Sequence, residues 1–164
     1  MKTFYFQRFA LFLLLSVAAI FSSCKKDEET TDYASRDETI IQSYIKDNNL
    51  TGAERQPSGL YLVRVQPGTG TTRPKEGQTV SARYIGTTLD GKEFDKNTAV
   101  PNPFSFVLGK GQVIKGWDEG FALLTKGEKA ILLIPSGLAY GSSGNGPIGP
   151  NTVLRFDVEL IDIK

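Results

Sequence analysis

The rhythm of hydrophobic and polar positions changes several times along this chain. From Phe9 to Phe21 the residues are almost wholly apolar, a run too short to cross a bilayer comfortably as a permanent helix. Lys25 to Asp32 is polar and charged; it has nothing to bury and reads as a flexible tether. Ile40, Ile41, Tyr44 and Ile45 then recur at helical spacing. Ser35 and Glu38 stand at capping-box spacing and Asn48-Asn49 suits an end, so the pattern predicts an amphipathic helix over Asp37–Asn48. A helix of that length is not stable alone. It either packs on the domain downstream or spaces that domain from the membrane, and Thr51–Ser58 reads as linker or loop.

From Gly59 onward the rhythm is that of strands. Leu60–Val65 ends at Pro67-Gly68, and Thr79–Thr87 alternates Val80, Ala82 and Tyr84 against Ser81 and Arg83. Asp90-Gly91 is a hairpin signal. Glu93–Asp95 and Phe104–Leu108 are short, Glu128–Ile134 is continuously apolar from Ala130 on, as in a central strand, and Val153–Ile163 is long. Trp117–Leu124 reads as a short amphipathic helix. Pro135–Pro150 is a glycine-rich loop with no evident regular structure. About five or six strands with one short helix predict an antiparallel α+β domain.

The stretch Phe104–Trp117 organises this domain. Phe104 and Phe106 face one side of an extended segment. Gly109 and Gly111 permit a tight turn, Val113-Ile114 brings two aliphatic side chains and two backbone amides, and the only Trp follows Gly116. Such a run can make an apolar pocket with an aromatic floor and N–H groups at its rim. Read from the residues alone, it can equally be strand, turn and helix of core.

Composition narrows the chemistry. Of 164 residues, 19 are basic and 18 acidic, for a net charge of +1, which gives no electrostatic case for nucleic acid. With no His and one Cys, His-based acid/base work, Ser-His or Cys-His nucleophiles, His/Cys zinc sites and an internal disulfide are excluded. What is left is binding, hydrogen bonding and carboxylates. No metal and no cofactor are expected.

Lys2 and Arg8 precede the apolar run, and Ser22-Ser23 leads from it to Cys24, the layout of a secretory signal. With its one Cys at the cleavage point it resembles a bacterial lipoprotein signal, which implies lipidation of Cys24 and anchoring to a membrane. An uncleaved anchor, or an ordinary signal with a chance Cys, is the alternative. Lysines followed by acidic residues after Cys24 also resemble the surface-export signal of some outer-membrane lipoproteins. The expectation is a bacterial cell-envelope protein, lipid-anchored at the outer membrane, on its periplasmic or surface face. Residues 1–23 would be signal peptide, 24–36 lipidated Cys and tether, 37–57 helix and linker, and 58–164 the folded domain.

Four segments of that domain, Tyr84–Asp95 (YIGTTLDGKEFD), Pro103–Trp117 (PFSFVLGKGQVIKGW), Ala139–Gly144 (AYGSSG) and Phe156–Leu160 (FDVEL), resemble in order and spacing the FKBP-type peptidyl-prolyl isomerases. The resemblance implies a twisted antiparallel sheet wrapped around one short helix, with a pocket between them. Carried over by position, Trp117 would be the floor, with Tyr84, Phe94, Phe106, Val113, Ile114 and Phe156 as walls. Ile148 would reach in from the long loop, and Phe104 would lie near the rim. Asp95 and Tyr140 would supply polar side chains and the Ile114 N–H would hold a substrate carbonyl. Tyr84, Asp95, Ile114 and Tyr140 are thus the candidate catalytic positions. Where the family often has an Arg able to pair with the pocket Asp, this chain has Val100, so Asp95 would be oriented by Tyr84 or Lys96, or be less well ordered. Gln112 takes a place that is often acidic.

The implied activity is rotation of Xaa-Pro bonds in exported proteins, with proline-containing polypeptides as partners and macrocyclic inhibitors as further ligands. The rival is a tethered binding module, chaperone-like, that uses the same pocket without turnover. A purely structural or adhesive lipoprotein would leave the pocket residues unexplained.

Overall fold

The computed structural model describes residues 32–164; the apolar run, Cys24 and most of the charged tract lie outside them. Helix α1 spans Tyr33–Asp47 and is followed by strands β1 (Ala53–Arg55), β2 (Tyr61–Gln66), β3 (Thr79–Thr88), β4 (Glu93–Asn97) and β5 (Phe104–Val107). Helix α2 (Lys115–Ala122), β6 (Lys129–Ile134) and β7 (Leu154–Ile163) complete the chain. The loop between β6 and β7 contains single 3₁₀ turns at Ser136–Leu138 and Gly141–Ser143.

The 7-stranded sheet is antiparallel throughout, in the order β1-β2-β6-β7-β3-β4. β4 and β5 share one edge of β3: Tyr84–Thr87 pairs with Asn97–Glu93, while Thr79–Ala82 pairs with Val107–Phe104. This sharing brings Asp95 and Phe104 to either side of Tyr84.

Three local expectations need correction. The helix begins at Tyr33, not Asp37, because Asp32 is the cap. Its carboxylate accepts from Ala34 N (3.1 Å) and Ser35 N (3.3 Å), while Ser35, expected as the cap, lies in the first turn. The sheet has a strand beyond the five or six expected. β1 lies in the supposed linker, and its Ala-Glu-Arg sequence carries little strand preference; only its pairing with β2 reveals it. Helix α2 starts at Lys115 rather than Trp117, with Ile114 as its N-cap.

Both faces of the sheet are covered. On one face Leu62, Leu132, Val80 and Leu160 pack with Trp117, Phe121 and Leu124 from α2 and the turn after it. On the other, Tyr61, Val63, Ile131 and Leu133 pack with Ile41 of α1. The unbroken apolar run of β6 is a consequence: in an antiparallel sheet wet on one face, alternate residues would be polar.

Candidate active site

The site begins at a glycine. At Gly86 in β3 a Cβ would stand 2.7 Å from Phe156 Cε1 and 2.8 Å from Phe94 Cε2, so only a bare backbone lets these two rings meet edge-on at 5.5 Å. Tyr84, on the same face, presents its ring edge-on to Trp117 at 4.8 Å. Trp117 is 4% exposed and is braced from behind by Phe121, 5.0 Å away. Its Nε1–H has no partner among the described residues, unusual for a buried indole; what it gives the cavity is ring surface.

The turn before α2 sets the rim. Gly109 has φ of 73°, a conformation that favours glycine, and the Asp118 carboxylate accepts from Gly109 N (2.8 Å) and Gly111 N (3.3 Å). The carboxylate thus reaches back from the first turn of α2 and pins the loop that delivers Val113 and Ile114. As N-cap, Ile114 is extended and its carbonyl accepts from Trp117 N at 2.9 Å. Its own N–H has no partner among the described residues, which leaves a donor at the pocket edge.

These elements enclose a cavity of about 200 Å³. Tyr84, Asp95, Ile114 and Tyr140 all line it, as do Phe94, Phe104, Val113, Trp117 and Phe156. Two expected wall residues do not. Phe106 is buried behind the floor, its ring 5.7 Å from Trp117 and 5.4 Å from Phe121. Ile148 is buried in the core: Asn145 and Ile148 exchange two backbone hydrogen bonds of 2.9 Å, which folds the loop tip on itself and turns the side chain inward. Gln112, which the resemblance put at a place that is often acidic, also lines the cavity, and its Oε1 accepts from Val107 N at 2.8 Å. Asp118 does not stand out in the sequence, since it looks like an ordinary polar residue near a turn.

Asp95 is oriented by Tyr84, whose hydroxyl donates to its Oδ2 at 2.7 Å; Lys96 pairs instead with Glu93 at 2.9 Å. Val100 is 72% exposed. Burial pushes the Tyr84 phenol well above its ordinary value of 10.0, and the Asp95 hydrogen bond and charge push it further. Tyr84 therefore stays a donor at any physiological pH. Among the described residues, no group of three or more His, Cys, Asp or Glu side chains is placed to hold a metal.

An antiparallel sheet with a short helix across it, and between them an aromatic pocket with N–H and O–H donors at its edge, is a geometry suited to an apolar, carbonyl-bearing segment. The family model for FKBP-type peptidyl-prolyl cis-trans isomerase matches residues 70–161, and the chain belongs to that family. It is similar to peptidyl-prolyl cis-trans isomerase Fkbp12 of Drosophila melanogaster, 48% identical over 107 residues that cover 65% of this chain and 99% of the fly protein. It is also similar to FK506-binding protein 1 of Saccharomyces cerevisiae, 48% identical over 102 residues, 62% of this chain and 90% of the yeast protein. The crystal structure of FkpA from Escherichia coli matches with a TM-score of 0.68 and 41% identity, over 80% of this chain and 61% of that longer one. A peptidyl-prolyl cis-trans isomerase from Pseudomonas syringae pv. tomato matches with a TM-score of 0.66 and 32% identity, over 80% of this chain and 96% of that one. The chain is a peptidyl-prolyl cis-trans isomerase.

Proposed function

We propose that this isomerase acts on exported proteins at the bacterial envelope, held there by acyl chains on Cys24. Uncatalysed Xaa-Pro rotation is slow because twisting the amide destroys its resonance, at a barrier of about 20 kcal/mol. The twisted amide is less dipolar than the planar one. A pocket walled by Phe94, Phe104, Trp117 and Phe156 disfavours it less than water does. In this reading the Ile114 N–H donates to the carbonyl preceding the bound ring, and the Tyr140 hydroxyl donates to the carbonyl that turns. Asp95, held by Tyr84, fixes the polar side of the pocket. Donors that are better satisfied by the twisted form than by either planar one lower the barrier by differential binding; about 5.5 kcal/mol would give four decades of rate. The observation that carries the reading is the unpartnered Ile114 N–H beside the Trp117 floor.

The test is a cis-to-trans rate on an Xaa-Pro peptide series with the chain beginning at Lys25. Tyr140→Phe should lower kcat/KM about tenfold, the worth of one hydrogen bond in the transition state; unchanged turnover removes Tyr140 from the mechanism. Macrocyclic ligands of the kind named for the yeast relative should compete for the same pocket. For the anchor, Cys24→Ala in cells should abolish incorporation of radiolabelled palmitate and move the protein from membranes to the soluble fraction. Label retained by the variant would exclude Cys24 as the site.

A further inference from the structure

Helix α1 precedes the residues matched by the family model, yet it buries a carboxylate. Asp37 is 1% exposed, and its Oδ2 accepts from Ser136 N at 2.7 Å and from Ser136 Oγ at 2.6 Å. Its other oxygen pairs with Arg36 at 2.5 Å, and the same guanidinium donates to the carbonyl of Asn151. A carboxylate taken out of water is costly unless it is paired and hydrogen-bonded. A helix needing only to adhere to the sheet would use apolar residues, as Ile41 does.

The groups it holds are the two feet of the loop between β6 and β7. Ser136 opens the first 3₁₀ turn, closed by Leu138 N to Pro135 O (2.9 Å) and Ala139 N to Ser136 O (3.0 Å). Tyr140 comes next, as the cap of the second. At the far foot, Asn151 N donates to Gly141 O at 2.7 Å. A closed circuit thus runs from Asp37 through Ser136 to Tyr140 and Gly141, then through Asn151 and Arg36 back to Asp37. We propose that Asp37 is a positioning residue for the isomerase, setting from helix α1 the place of the Tyr140 hydroxyl in the pocket. The inference rests on the role given to Tyr140 above.

The experiment is a double-mutant cycle on the chain from Lys25, which keeps the compact unit Thr31–Lys164 whole, with kcat and KM measured separately. Asp37→Ala should lower kcat/KM about tenfold, mainly through kcat, and in a Tyr140→Phe background should cost less than about twofold more. Asp37→Asn, whose amide oxygen can still accept from Ser136, should restore turnover to within about threefold of the parent. Ile41→Val loosens the same helix without touching Ser136; it should lower stability and leave kcat unchanged. Should Asp37→Ala fail to fold, Ser136→Ala removes the hydroxyl partner and carries the same cycle. The inference is overturned if folded Asp37→Ala or Ser136→Ala keeps parental kcat, or if its loss multiplies in full with that of Tyr140→Phe. If Tyr140→Phe alone turns over normally, the mechanistic role of Tyr140 fails and this inference falls with it, an outcome distinct from the other two.

Discussion

Tyr84 serves the pocket with both ends of its side chain, the ring edge against Trp117 and the hydroxyl on Asp95. Tyr84→Phe keeps the packing and strips Asp95 of its donor, so kcat/KM should fall about tenfold with near-parental folding; an unchanged value would show that Asp95 needs no orientation. The raised phenol pKa also has a sign that can be measured. Below pH 10.0 both folded and unfolded chains keep the proton and the contribution is whole. Above it the unfolded chain loses the proton first, so stability falls as pH rises further. Urea midpoints at pH 9 and pH 11 should therefore drop less in Tyr84→Phe than in the parent. Gly86→Ala would drive a Cβ into Phe94 and Phe156, and peptide KM should rise several-fold as these rings are displaced. The pocket residues of β3, β5 and α2 were legible because the period placed them in their elements and the family resemblance placed them in the pocket. Ile148 was not, because a loop tip closed by its own backbone carries no periodicity to read.

Among the elements, α1 departs furthest from what its pattern foretold. Ile40, Ile41, Tyr44 and Ile45 announce an amphipathic helix, but the residue that seats it deepest besides Ile41 is Asp37. Its partner Ser136 lies far along the chain, and no local pattern signals a buried carboxylate with a distant partner. The apolar run of β6 marked a central strand in the sequence, and the structure shows α1 covering its second face. Ile41→Ala should lower stability by about 2–4 kcal/mol, read as a shift in denaturant midpoint. A shift under about half a kcal/mol would mean that the helix is only loosely docked. β1 was invisible in the sequence for a related reason: a three-residue edge strand is defined by its neighbour rather than by its own side chains.

For the whole molecule, the absence of histidine removes the side chain whose ordinary titration falls between pH 5 and 8. The mechanism moves no proton between enzyme and client. The kcat/KM profile should then be level from pH 6 to 8; a bell-shaped curve across that range would require a titrating group the proposed mechanism does not contain. The binding-only alternative drew its force from the missing Arg at Val100. The Tyr84 hydroxyl on Asp95 still gives that carboxylate a donor, so the polar side of the pocket keeps an oriented group.

One tryptophan serves the entire chain, and it is the floor of the cavity. Its near-ultraviolet emission therefore arises from a single place, where a bound proline ring would lie. Occupancy should change the colour and intensity of that light without any added label, so affinities for clients and inhibitors can be titrated on the unmodified protein.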